Sequence, residues 1–201
     1  MKFSRIFEEI FPFFQYIINS NILRKKSGRK DILSFPEFQE YVNLSEEQLT
    51  IRLKEERERA AFIDDKTFKL TLSLSIGLSI LGLTAAFLAK AFFADVVILI
   101  FGIGIFYILV AGFLALGALR TIPSFGYGTD FMLKSQDNPL SVLADSLARQ
   151  ETMNLIRHLR NEAAFQTLRN GLFMIFLGIF LFILFMLHKP PDTIVKLWAF
   201  N

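Results

Sequence analysis

The chain has 201 residues with 22 basic and 19 acidic side chains, a net charge of +3 that does not by itself favour nucleic acid as a partner. Because it contains no cysteine, disulfides, thiolate metal sites and cysteine nucleophiles are excluded. Hydrophobic residues make up 53% of the chain, and phenylalanine occurs 24 times. The apolar residues are concentrated in three runs, which favours a membrane protein over a large soluble core.

Residues 1–44 are predicted to form an N-terminal cytoplasmic segment with an amphipathic helix. Between Phe3 and Ile18, apolar residues are interspersed with charged ones. Such a helix could lie on the bilayer surface, but we favour its packing against the rest of the cytoplasmic part. Glu8, Glu9 and Pro12 interrupt the apolar run, which argues against a secretory signal.

A basic stretch follows this helix. Five of its seven residues are positively charged: Arg24, Lys25, Lys26, Arg29 and Lys30. They could contact anionic lipid headgroups or a phosphate ligand, and a solvated loop explains them equally well. They are the only candidates in the sequence for contacting an anionic messenger.

Ser45 is predicted to begin a long helix. Ser45 and Gln48 match a capping box, in which each side chain accepts a hydrogen bond from the backbone of the other. No proline occurs from Ser45 to Ala89, and the only glycines there, Gly77 and Gly82, lie in an apolar run. Residues 45–69 are therefore predicted to be a charged cytoplasmic stalk helix that continues into the membrane.

Three apolar runs, residues 70–89, 96–119 and 171–187, are each long enough to cross a membrane. A helix needs roughly 17–25 apolar residues to cross a hydrocarbon core of about 30 Å, and lipid offers no partner to unpaired backbone groups. The sequence thus predicts an all-α integral membrane protein. Its three spans would be a transmembrane hairpin over residues 70–119 and a third transmembrane helix over residues 170–188.

Residues 120–169 are predicted to form a cytoplasmic connection that ends in a second stalk helix. The stretch from Thr121 to Lys134 suggests an irregular loop, Asp137 to Pro139 a turn, and Ser141 a helix cap. Since both stalk helices enter the membrane from the cytoplasm, they are predicted to run parallel.

The distribution of basic residues predicts the orientation. Thirteen Lys and Arg precede the first span and six lie between the second and third, against one in the hairpin tip and two in the tail of residues 189–201. Because cytoplasmic segments carry the excess of basic residues, the N-terminus is expected inside, and the hairpin tip and the C-terminal tail outside.

Small residues line one face of each of the first two spans: Ser75, Ser79, Gly82 and Ala86 in the first, Ala111 and Ala115 in the second. Small faces let membrane helices approach closely. Packing among the three spans and assembly of a homo-oligomer both remain open, and we favour the oligomer.

A search for chemistry is negative. No phosphate-binding loop, metalloprotease motif or nucleophile-elbow serine occurs. Asp64 and Asp65 are consecutive, so they point in different directions on a helix and are expected to form a solvated collar below the membrane. The spans contain no ionisable residue, which argues against ion-coupled transport. We therefore predict no enzyme, no cofactor and no metal site.

The segment from Glu58 to Thr67, with Asp64, Asp65 and Lys66 before the first span, resembles small bacterial membrane effectors of anti-phage defence. The Pycsar-type membrane effectors and related two-helix-hairpin effectors share this arrangement, and the resemblance covers residues 48–185. It implies a protein of the cell inner membrane that oligomerises and breaches the membrane when a signal arrives.

The 44 residues before Ser45 are too few for a separate cyclic-nucleotide-binding domain. The resemblance therefore leaves two hypotheses open. The chain is an effector whose stalk receives a nucleotide messenger or a partner protein, or it is a membrane-anchored sensor or adaptor that recruits a cytoplasmic partner through its stalk.

Overall fold

A computed structural model describes residues 7–29, 32–88, 95–118, 125–126 and 128–188. Of the described residues, 94% are helical and none lies in a strand, so the all-α prediction is confirmed. The α-helices are α1 (Pro12–Ser27), α2 (Glu46–Leu88), α3 (Asp95–Ala118), α4 (Gly128–Asp137) and α5 (Pro139–His188). Two 3-10 helices, Ile32–Ser34 and Pro36–Asn43, lie between α1 and α2.

The predicted capping box starts α2. The Ser45 backbone amide donates to Gln48 Oε1 at 3.0 Å, and the Gln48 amide donates to Ser45 Oγ at 3.2 Å. The helix then continues for 43 residues to Leu88, a length of about 65 Å. The prediction of one unbroken helix is confirmed as far as Leu88. Ala89 and the hairpin tip lie outside the described residues.

The start of α5 differs from the prediction. Ser141 is not the cap, because Asn138 Oδ1 accepts the Ser141 backbone amide at 3.2 Å and Pro139 occupies the first helical position. Proline suits that position, where its missing amide would have no partner. The expected irregular loop over Thr121 to Lys134 is also wrong from Gly128 onward, where α4 begins.

The long helix α5 is the centre of the fold and contacts α1, α2, α3 and α4. Helix α2 runs parallel to it. At one end, Leu49 and Leu53 of α2 share a buried cluster with Leu143 and Leu147 of α5. Further along both helices, Asn161 of α5 donates hydrogen bonds to the Ile63 carbonyl and the Thr67 hydroxyl of α2.

Helix α1 lies along α5 in the opposite direction. At its start, the Ile10 carbonyl accepts a hydrogen bond of 2.8 Å from Tyr107 Oη and one of 3.3 Å from Asn170 Nδ2. Beyond its end, the Arg29 carbonyl accepts Arg149 Nη2 at 2.9 Å. The N-terminal helix thus packs against the other helices.

Helix α3 runs antiparallel to α5 and approaches it closely where two glycines meet. A Cβ atom added to Gly104 would lie 3.2 Å from the Gly171 carbonyl, and one added to Gly171 would lie 3.0 Å from the Gly104 carbonyl. Ala111 and Ala115 are fully buried in the same interface. Small side chains therefore bring these two backbones together.

Two helices in the described part of the chain are long and apolar enough to cross a membrane: Val96–Ala118 and Pro139–Phe185. Their outer faces are apolar and uncovered, as at Phe113 and Phe176, which are 73% and 72% exposed. Extended apolar surface of this kind points to contact with lipid or protein. The first predicted span occupies the apolar end of α2, where most side chains beyond Ser79 fall outside the described residues, so it stays a prediction.

The glycine contact predicts the stability of Gly171→Leu. A leucine there would meet Ile108, Tyr107 and the backbone of α3, and overpacking of this kind costs about 1–3 kcal/mol. We expect a lower melting temperature for the detergent-solubilised protein, measured by circular dichroism. Gly102→Leu is the matched control, because nothing lies within 4 Å of its added Cβ. Equal melting temperatures for both variants would contradict the close packing of α3 on α5.

Candidate functional site

A stripe of four polar residues on α5 faces α2, and we call it the polar seam. Its members are Gln150, Asn154, Arg157 and Asn161. Their spacings of four, three and four residues place them on one side of the helix. Leu49, Leu53, Ile63 and Thr67 of α2 are buried on its facing side. The seam therefore replaces part of the apolar contact expected between two long packed helices.

The centre of the seam joins Asn154 to Glu56. Asn154 is fully buried, and its Nδ2 donates to the Glu56 backbone carbonyl at 2.7 Å and to Glu56 Oε2 at 2.8 Å. The other carboxylate oxygen of Glu56 pairs with Arg59 at 3.2 Å. A charge this deeply buried requires such partners, so the α2–α5 contact depends on both interactions.

The seam continues toward the apolar ends of the helices. Asn161 Nδ2 donates to Thr67 Oγ1 at 2.6 Å, and the Thr67 hydroxyl donates to the Ile63 carbonyl at 2.8 Å. Arg157 forms an ion pair with Asp64. Burial lowers the pKa of the Arg157 guanidinium, which nevertheless stays charged at any physiological pH.

The juxtamembrane residues Asp64, Asp65 and Lys66 do not form one site. Asp64 pairs with α5 through Arg157, so it is more than part of a solvated collar. Asp65 pairs with Lys69 of its own helix at 2.6 Å. Lys66 Nζ lies 4.6 Å from the centre of the Phe62 ring.

At its other end, the seam holds the segment that precedes α4. Gln150 Nε2 donates to Asn154 Oδ1 at 3.2 Å, and Gln150 Oε1 accepts the Phe125 backbone amide at 3.1 Å. Arg57 Nη2 donates to the Gly126 carbonyl at 2.7 Å. Gly126 has a φ of 79°, which favours glycine. The connection between α3 and α4 is thus attached to both long helices.

A cavity of about 420 Å³ opens beside Glu56, between α1, the second 3-10 helix, α2 and α5. We call it the stalk cavity. The Tyr41 hydroxyl donates to the Glu151 carboxylate, which also accepts Arg52 Nη2 at 3.3 Å. Burial, and then the hydrogen bond to Glu151, raise the pKa of Tyr41. The tyrosine therefore stays neutral and donates at physiological pH.

The five basic residues expected to contact an anion do not converge. Lys26 lines the stalk cavity, pairs with Glu37 and lies 5.0 Å from the centre of the Phe38 ring. Arg24 and Lys25 are exposed in the last turn of α1, where positive side chains stabilise the C-terminal end of a helix. Arg29 lies over an aromatic ring at 5.5 Å. The fifth, Lys30, lies outside the described residues.

The two small-residue faces have different surroundings. Ala111 and Ala115 are buried against α5. Ser75, Ser79 and Gly82 are exposed, and the two serine hydroxyls donate to carbonyls of their own helix at 3.1 and 2.9 Å. The side chain of Ala86 lies outside the described part. The face of the second span is therefore used within the chain, whereas the described part of the first face is uncovered.

Sequence reasoning missed the role of Arg160. Its Nε donates to the Leu114 carbonyl at 2.9 Å and its Nη1 to the Gly117 carbonyl at 2.6 Å. Both carbonyls belong to the last turn of α3 that the structure describes. The guanidinium also lies 5.7 Å from the centre of the Tyr16 ring. Arg160 thus joins α1, α3 and α5.

No protein-family model, curated protein or solved structure matches this chain. Within the described residues, no group of three or more His, Asp or Glu side chains could hold a metal ion. Functional inference therefore depends on the seam, the stalk cavity and the apolar surface.

The seam predicts a specific pattern of stabilities. Asn154→Leu removes the donor to a buried carboxylate and should cost about 2–4 kcal/mol. Adding Glu56→Leu removes the buried carboxylate that has lost its Asn154 donor, so the double variant should be more stable than Asn154→Leu alone. Thermal unfolding in detergent measures both.

The matched control is Asp65→Asn, which breaks an ion pair whose side chains are 50% and 72% exposed. Exposed pairs contribute no more than about 1 kcal/mol, so this variant should melt close to the wild type. A double variant less stable than Asn154→Leu would show that Glu56 and Asn154 do not depend on each other.

Proposed function

We propose that this chain is a three-span membrane protein of the cell inner membrane in which a cytoplasmic stalk controls the membrane helices. The observation that carries the proposal is the continuity of α2 and α5. Each runs without a break from the polar seam into an apolar run. Because an unbroken helix transmits rotation and axial shift along its length, a change at the seam would move the spans.

The composition of the seam supports such a change. Among the described residues, Arg157 Nε and Asn161 Oδ1 are buried and have no hydrogen-bond partner. A partly satisfied polar interface is less stable than an apolar one. A second arrangement of α2 against α5 that satisfies these atoms would then differ little in free energy from the first.

The stalk cavity is where a signal would act. It lies directly beside Glu56, which accepts the central hydrogen bonds of the seam. Arg59 pairs with Glu56, and Arg52 pairs with Glu151. A messenger or a partner segment that displaced either arginine would alter the charge balance next to the seam. This supports the first hypothesis, in which the stalk itself receives the signal.

We propose further that the response is permeabilisation of the membrane by a homo-oligomer in bacterial anti-phage defence. The resemblance of residues 48–185 to such effectors supports the setting. The uncovered face of Ser75, Ser79 and Gly82 supports the assembly, because exposed small residues let a second copy approach closely.

A second function, an adaptor that recruits a cytoplasmic protein, is favoured by one observation. Val42 and Ile51 are 58% and 52% exposed near the start of α2, far from the apolar ends of the helices. Apolar side chains exposed there would suit a protein partner.

Membrane potential in cells tests the effector function. We expect depolarisation, read by a potential-sensitive dye, in cells that express the protein under phage challenge. Ser79→Leu with Gly82→Leu should abolish it by blocking close approach of a second copy. Gly102→Leu, which places a leucine at an exposed position of α3, should leave it unchanged.

An unchanged potential in challenged cells that are protected from phage would contradict permeabilisation. Capture of a stoichiometric partner that is lost in Ile51→Glu would then support the adaptor function.

A further inference from the structure

A second cavity, of about 530 Å³, lies between α2 and α5 at the end of the polar seam that is nearer the apolar runs, where Asn161 lines it. We call it the interfacial groove. The α2 wall is a stripe of residues at spacings of three and four between Arg59 and Ser73, and the α5 wall is a shorter stripe between His158 and Phe165. They include Phe62, Lys66, Lys69, His158, Asn161 and Phe165. The groove therefore combines cations and aromatic rings contributed by both long helices.

The groove is electropositive. Among the described residues, no acidic side chain pairs with Lys66, whose Nζ lies against the Phe62 ring at 4.6 Å. Lys69 adds a second ammonium group, which pairs with the exposed Asp65. The acid in the lining is Glu162, which accepts a hydrogen bond of 2.9 Å from Gln166. An anion could thus bind the lysines without displacing a buried partner.

The groove is also apolar on the side that continues into the apolar runs. Leu70, the first residue of the predicted first span, is part of its lining. Phe165, on the α5 wall, is 57% exposed. A soluble anion would leave this ring in water, whereas an acyl chain would cover it. The charge and the apolar wall together require a ligand with an anionic group next to a hydrocarbon chain.

We propose that the interfacial groove binds an anionic phospholipid of the bilayer. Its phosphate lies at Lys66 and Lys69, and one acyl chain follows Leu70 and Phe165. The inference rests on the proposed three-span topology, because that topology places the groove at the cytoplasmic headgroup level. There, lysine stems follow apolar surface while their ammonium groups reach the headgroups.

Lipid retention tests the site. The full-length protein is placed in nanodiscs of equimolar phosphatidylglycerol and phosphatidylcholine with the same acyl chains, and the retained lipids are identified by native mass spectrometry. We expect phosphatidylglycerol to be retained preferentially. The preference should fall about fivefold for each of Lys66→Gln and Lys69→Gln.

The matched control is Lys54→Gln. This variant has the same change in charge as each groove variant, but its exposed lysine lies outside the groove. It should keep the wild-type preference. Lys54, Lys66 and Lys69 are all exposed, so each variant should keep the wild-type melting temperature, and that result would show that it folds.

Three outcomes would overturn the proposal. Equal retention of both lipids by an inserted wild-type protein would remove the site and leave the topology intact. Displacement of the retained lipid by soluble glycerol phosphate would show an anion site without an acyl contact. Failure of the wild type to insert would overturn the topology and the groove together. If the wild-type protein keeps the lipid preference but does not depolarise challenged cells, only the effector function would be contradicted.

Discussion

The two hydrogen bonds from Asn154 to Glu56 fix the position of α5 along α2. A shift of either helix would leave a buried carboxylate without its donor, and a buried asparagine at a helix contact is known to specify register for this reason. The Asp64–Arg157 and Thr67–Asn161 contacts follow in the same register. Since α1, α3 and α4 all pack on α5, this one contact positions the rest of the structure relative to α2.

The second constraint is the contact between α3 and α5. Gly104 and Gly171 bring α3 within backbone contact of α5, and Arg160 then donates to the Leu114 and Gly117 carbonyls of α3. Arg160 lies one turn beyond Arg157 on the same helix, so this contact with α3 and the polar seam belong to one segment of α5. A shift of α5 at the seam would therefore move the end of α3 as well. This couples all the apolar helices to the stalk.

The sequence predicted the continuous course of α2 and its capping box because both depend on local contacts between neighbouring residues. The prediction failed at Ser141 because Asn138 is a competing cap next to Pro139. It failed at α4 because this short helix begins at Gly128, closely follows Gly126 and has no strong apolar pattern. Arg160 carries no local signal of its role, since its partners are backbone carbonyls on a distant helix. Likewise, Asn154 and Glu56 carry no local signal that they meet across two helices.

The proposed function depends on α2 and α5 linking a cytoplasmic seam to the membrane, and cysteine labelling tests this most directly. The chain contains no cysteine, so a single introduced thiol gives no background. In right-side-out membrane vesicles, a membrane-impermeant thiol reagent should label Lys90→Cys in the predicted hairpin tip. It should label Gln48→Cys, at the stalk end of α2, only after the membrane is opened. Labelling of both cysteines in sealed vesicles would place the two ends of α2 on the same side and contradict the account.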